Sequence, residues 1–274
     1  MSNLKLRVVS GVLMAAVALL AVYAGGPVFV LFAGIVAALV WYEWLEMTAP
    51  SRDDRILLAT LALIGAATMV LLMLSGALSI YVLILVWVLG AGALTMAGMP
   101  AKSIVGFAYC LGALVSLVQL RGAGGFLPGA AAIVFIFATV WITDIAAYFV
   151  GRAVGGPKLA PSISPGKTIS GALGGIAGAL IAALLVRQLF EPAMGVWAML
   201  VLALLISVVS QAGDLFESSL KRGAGVKDSS QLIPGHGGVM DRVDGLVFGA
   251  IALWLVCLVL AGSEAPALAL FSPS

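Results

Sequence analysis

The sequence predicts an all-α, polytopic membrane protein: a single transmembrane domain over residues 1–274, built from about nine helices. Three observations carry this. The 274-residue chain is 63% hydrophobic and only 9% charged, far from the balance of a water-soluble domain. Its apolar runs repeatedly reach the roughly 20 residues that a bilayer crossing needs. The runs are continuous rather than alternating, which selects helices over a barrel, the two forms that satisfy the backbone in lipid.

The runs lie at about 6–24, 27–47, 56–75, 77–98, 103–120, 127–150, 169–190, 195–220 and 244–262. The first also has the shape of a signal peptide, with Val22-Tyr23-Ala24 as a cleavage-like end. The third and fourth are joined by a short Ser/Gly turn, which predicts a tight hairpin. Cys110 and Cys257 fall inside the fifth and ninth runs, so they read as small buried apolar residues rather than a disulfide or thiolate site. The formal net charge is +2, but its distribution is uneven. With the N-terminus inside, twelve of the fourteen basic residues fall on the inner side and only Arg121 and Arg187 on the outer. The positive-inside rule then places the N-terminus in the cytoplasm and the C-terminus outside.

Polar content is lopsided. Residues 1–126 read as a helical scaffold, and residues 127–262 as the working helices, with cytoplasmic loops at 151–168 and 221–243. Asp144 lies in the sixth run, where a lone carboxylate must face protein, water or an ion. Tyr148 follows one turn later on the same face. Lys167 sits in Ser164-Pro165-Gly166-Lys167-Thr168, just before the seventh run. A helix start suits a phosphate, while Pro165 and Thr168 also read simply as helix-starting residues. Pro161 stands where a Walker A loop needs glycine. Gly171, Gly174, Gly175 and Gly178 read as a close-packing face, and the glycines at 122–125 as a loop.

The eighth run ends Gln211, Asp214, Ser218 and Lys221 on one face, with Arg222 at its border and Glu217 able to join. From 195 to 222 the helix would be about 42 Å long, more than a core of about 30 Å. Its end therefore projects toward the cytoplasm, with Asp214 near the inner interface. The stretch 218–245 then holds four basic residues, three acids and the only histidine. Lys227, His236, Gly237, Gly238 and Arg242 are candidate phosphate ligands, beside Ser164, Lys167, Thr168, Ser218, Lys221 and Arg222. Asp241 and Asp244 open the ninth helix, either as capping acids or as oxygen ligands. Carboxylates without a Cys/His cluster favour Mg²⁺ over zinc. Asp214 and Asp241 are the expected metal ligands, with Asp144 and Asp244 as further candidates. His236 is either a catalytic base or a turn residue that donates hydrogen bonds.

These residues resemble a known family. The run from Ser219 through Lys221-Arg222, Lys227-Asp228, Pro234-x-His236-Gly237-Gly238 and Asp241-Arg242-x-Asp244 resembles the signature of the phosphatidate cytidylyltransferases. Thr143-Asp144 through Thr168, together with Gln211-x-Gly213-Asp214, resembles further blocks of that family. The matching residues cover about a third of the chain. The resemblance implies that CTP and phosphatidic acid give CDP-diacylglycerol and pyrophosphate, with Mg²⁺, on the cytoplasmic side of a bacterial inner membrane. It implies catalytic roles for Asp144, Lys167, Asp214, Lys221, Arg222 and Asp241. It also implies a homodimer. Membrane lipid is an expected partner and nucleic acid is not, and an additional monovalent cation stands beside Mg²⁺ as a further candidate. Ile169 and Ser170 stand where the family usually has an aromatic residue and Glu, and Gly245 where it often has Ser. Two other classes stand beside it. One is a CTP-dependent polyprenol or phytol kinase, with Asp144 or His236 as base. The other is an ion or proton transporter using Asp144 and Asp214.

Overall fold

A computed structural model of the chain describes residues 3–48, 51, 54, 80–96, 98–122, 126–192, 194–261 and 266–271. Its helices are α1 (Asn3–Ala24), α2 (Gly26–Thr48), α3 (Ile80–Met96), α4 (Ala101–Gly122), α5 (Phe126–Val154), α6 (Ile169–Phe190), α7 (Val196–Gly223) and α8 (Met240–Ala261). A short 3-10 turn covers Pro266–Ala269. Seven of the described helices have the length and hydropathy to cross a bilayer, and the chain is an all-α polytopic membrane protein. The expected span at 56–75, the turn that follows it and the glycines at 123–125 lie outside the described residues.

The expected loop at 151–168 is shorter and more ordered than an irregular connection. α5 continues to Val154, and strands β1 (Lys158–Ala160) and β2 (Ser164–Thr168) then pair antiparallel. Pro157, Pro161 and Pro165 deny this stretch a continuous helical ladder, and extended backbone is what remains. Thr168 ends β2 and caps α6: its backbone is extended (φ −120°) and its Oγ1 accepts from Gly171 N at 3.1 Å. At the other end of the connection, α7 runs on to Gly223 and α8 starts at Met240, four residues before the apolar run.

The chain divides into two compact units, Met1–Val118 with Val226–Arg242, and Gln119–Gly225 with Val243–Ser274. In the first unit α2 carries the buried core residues Phe29, Val30, Ala33, Trp41, Trp44 and Leu45. Trp44 ties α2 to α4: its Nε1 donates to Lys102 O at 3.0 Å, and its ring lies 5.7 Å from that of Tyr109. The residues 226–242, which hold much of the charged stretch, belong to this unit.

In the second unit α5 and α6 pack backbone to backbone. A Cβ at Gly175 would lie 3.0 Å from Thr143 O, and one at Gly178 would lie 2.7 Å from Ala146 Cβ and 3.0 Å from Ile142 O. Small residues let two helices close without a bulky interface, as helices in lipid require. Thr143 Oγ1 donates to Ser207 Oγ at 3.1 Å and joins α5 to α7. The Phe216 and Phe248 rings, 5.4 Å apart, join α7 to α8. The Gly178→Leu variant should lose about 1–3 kcal/mol by overpacking. A thermal unfolding scan in detergent should therefore show a lower midpoint, whereas Leu185→Ala on the exposed face of α6 should leave it nearly unchanged.

Candidate active site

The second unit gathers acids and lysines at one place. Asp214 and Glu217 stand one turn apart near the end of α7, and Asp244 stands in the first turns of α8. One carboxylate oxygen from each lies within 4.8 Å of the others. Lys167, at the end of β2, forms an ion pair with Asp214. Lys221 Nζ is 2.8 Å from Glu217 Oε2, and that carboxylate is wholly buried. Ser218 Oγ donates to Asp214 Oδ1 at 3.4 Å, and Gly245 N donates to Asp244 Oδ1 at 2.8 Å. Three carboxylates this close repel one another unless cations are present. Two lysines offset two of the charges. A hard divalent cation fits the remaining charge and the all-oxygen donor set.

Lys167 lies in the hairpin where the strand register shifts. Lys158 pairs with Thr168 across the strands, and Ala160 with Ser164. Arg222 Nε reaches Ile163 O at the hairpin turn, 3.4 Å away. Gln211 Nε2 donates to Ala172 O on α6 at 3.3 Å. Asp144 is exposed at the surface of α5.

The first unit holds a separate basic cavity of about 460 Å³. Arg7, Lys227, Asp228, His236, Gly237 and Arg242 are among its lining residues. Its floor is a tight turn in which Ile233 N donates to Gly237 O at 2.8 Å and His236 N to Ile233 O at 2.9 Å. Gly235 (φ 79°) and Gly237 (φ 78°) adopt the left-handed backbone that this turn needs. His236 leans on α1, with Nδ1 2.7 Å from Ser10 Oγ. Burial lowers the pKa of its imidazole, and the charges of Arg242 and Arg7 lower it further. Both effects favour the neutral ring, which has one N–H donor and one acceptor nitrogen.

The expected residues thus fall into two groups. Lys167, Asp214, Ser218, Lys221, Arg222 and Asp244 are brought together in one unit. Lys227, His236, Gly237, Gly238, Asp241 and Arg242 belong to the other. Ser164 and Thr168 contribute through the hairpin, Thr168 as a buried helix cap. The expected metal ligand Asp241 has its Oδ2 engaged by the loop, where it accepts from Ser229 N at 3.0 Å, Ser229 Oγ at 3.1 Å and Gly238 N at 2.8 Å. Glu217, placed on the Asp214 face by spacing alone, is the third acid of the cluster. Arg7 and Ser10, three residues apart on α1, and Glu43 in α2 are not predicted. Glu43 carries the same signal as Asp144, an acid within an apolar span.

A family model for the cytidylyltransferase family matches residues 5–260. The chain belongs to the cytidylyltransferase family. It is 44% identical over 99% of its length, and all of the relative's, to a phosphatidate cytidylyltransferase of Brucella suis biovar 1 (strain 1330). A Brucella abortus biovar 1 (strain 9-941) protein of the same name is 43% identical over 93% of each chain. One from Staphylococcus epidermidis (strain ATCC 12228 / FDA PCI 1200) is 42% identical over 42% of this chain and 45% of its own. The family match includes both the acidic cluster and the basic cavity.

Because His236 is the only histidine, one imidazole resonance should be seen by NMR. Its midpoint should lie below the ordinary value of about 6.5. Arg7→Ala removes a repelling cation and should raise it; an unchanged midpoint would show that Arg7 does not act on the ring.

Proposed function

We propose that this member of the cytidylyltransferase family transfers the cytidylyl group of CTP to phosphatidic acid, giving CDP-diacylglycerol and pyrophosphate. The reading rests above all on the near-full-length likeness to proteins named phosphatidate cytidylyltransferase. The gathered Asp214, Glu217 and Asp244, flanked by Lys167 and Lys221, supply a chemistry that suits it. A phosphate oxygen of phosphatidic acid attacks the α-phosphorus of CTP. The bond from that phosphorus to the bridging oxygen of the β-phosphate breaks, and pyrophosphate leaves with the electron pair. A phosphate monoester is largely dianionic at neutral pH, since its second pKa is about 6, so the nucleophile needs no general base.

The difficulty is bringing two polyanions together. In the second unit Lys167, Lys221 and Arg222 are the proposed cations for phosphate charge; in the first unit, taken by itself, Lys227, Arg242 and Arg7 line a basic cavity that suits a phosphate group. Positioning and charge stabilisation are the main contributions in such transfers. Asp214, Glu217 and Asp244 are the proposed ligands of Mg²⁺, which when bound supplies charge neutralisation on phosphate oxygens. Asp241 is proposed to act through the loop that it holds. His236 is proposed as a hydrogen-bonding residue, since the nucleophile needs no general base. The reaction is proposed to run at the cytoplasmic face of a bacterial inner membrane, with the N-terminus inside, the C-terminus outside and the chain as a homodimer.

CTP labelled separately at the α or γ phosphate, supplied with Mg²⁺, phosphatidic acid and a polyprenol, distinguishes the reactions. Label from the α position should enter lipid; label from γ entering the alcohol would make the protein a kinase. Asp214→Asn and Asp244→Asn should each lower the rate by on the order of 100-fold or more, beyond the effect of losing a residue behind a metal ligand. Thermal unfolding should stay near that of the unaltered protein. Near-normal rates in either would remove that residue from the metal site. Lys5→Ala should leave the rate unchanged.

A further inference from the structure

Glu43 is a carboxylate with no exposure, in an apolar helix and among Trp41, Trp44 and Leu45. Burying such a group is costly unless donors replace its water. Four donors do so, all from one segment of the chain. Oε1 accepts from Ser230 Oγ at 2.6 Å and Val239 N at 2.8 Å. Oε2 accepts from Ser229 Oγ at 2.8 Å and Met240 N at 2.7 Å. The backbone reaches the carboxylate because residue 238 is glycine. A Cβ there would lie 2.5 and 2.6 Å from the two Glu43 oxygens. Val239 N and Met240 N are N–H groups at the start of α8 that have no partner within the helix, and a negative charge is favourable there.

We propose that Glu43 is a positioning residue for the transfer reaction: it clamps both ends of the segment 229–240 and so sets the place of His236 and Arg242 at the basic cavity. Lys227 and Arg242 flank the clamped segment and His236 lies within it. Ser229 Oγ also meets Asp241 Oδ2 at 3.1 Å, so the clamp extends to the carboxylate that holds Gly238. The site demands a carboxylate. In Glu43→Gln, either orientation of the amide turns its NH₂ toward a backbone N–H, Val239 N or Met240 N, leaving a donor facing a donor. The loop should loosen while the helices around it, whose packing is apolar, stay in place.

The kinetic part of the test rests on the cytidylyl-transfer reading, and the exchange part does not. Glu43→Gln, Glu43→Asp and Gly238→Ala would be purified in detergent beside Glu46→Gln, an exposed acid on the same helix. Hydrogen exchange, thermal unfolding and the steady-state constants for each substrate would be measured. In Glu43→Gln, exchange should quicken in the 229–240 peptide and not in α5 to α7. The KM of one substrate, the one whose phosphate enters the basic cavity, should rise by about tenfold, with the KM of the other unchanged. Gly238→Ala should reproduce this from the loop side, Glu43→Asp should recover part of it, and Glu46→Gln should show none. Unchanged exchange and kinetics in folded Glu43→Gln would overturn the proposal. So would a uniform loss of stability and kcat with both KM values unchanged, because that pattern marks a purely structural role. If the unaltered protein has no transfer activity, the cytidylyl-transfer reading fails, and the exchange pattern alone decides whether Glu43 holds the loop.

Discussion

An apolar surrounding offers no water to a carboxylate, so a charge survives there only where the chain brings its own partners to it. The chain is 9% charged, and Asp214, Glu217 and Glu43 obey this in two ways. Glu217 is met by Lys221, and Asp214 by Lys167. Glu43 is met by two hydroxyls and two backbone amides. The first kind leaves a charged cluster that is open to further ions. The second is closed by the donors it binds and gives shape to a loop.

The short hairpin and the turn of the basic cavity extend the same logic to cations. Lysines and arginines are placed by backbone devices rather than by packing. The short hairpin carries Lys167 just before the start of α6, and two left-handed glycines shape the turn behind His236. Long flexible cations on such supports can approach an anionic substrate while their backbones stay fixed. Around them the helices pack through small residues and aromatic rings, contacts that do not depend on pH or salt.

Much of the helical layout was legible because hydropathy is a local property. α6 matches its predicted run at both ends, and α7 and α5 differ only in how far they extend. Asp214 and Lys167 were legible because charge next to an apolar run is conspicuous, and Glu217 because helical spacing puts it on the Asp214 face. The hairpin was not, since its strands are short and rich in Pro and Gly, without a period-two pattern. The meeting of Ser10 with His236 spans 226 residues, and no local pattern encodes such a distance. Glu43 lies in the run at 27–47, which reads only as scaffold. Half of its partners are backbone amides, which carry no side-chain signature. Asp241 was legible as an acid at a helix start. That its oxygen reaches back to Ser229 depends on the loop's path, which composition does not specify.

The glycine face of α6 divides that helix into two histories. Gly175 and Gly178 abut α5 with no room for a methyl group, while Leu173, Ile181, Leu184, Leu185 and Leu189 face outward. On the outward side any apolar residue satisfies the same solvent, so substitutions there can accumulate freely among related chains. On the inward side almost none can. Sequence drift in this helix should therefore run along one stripe and stall along the other, and two relatives could share little overall identity in α6 yet place Thr168, at its start, at the same point in space.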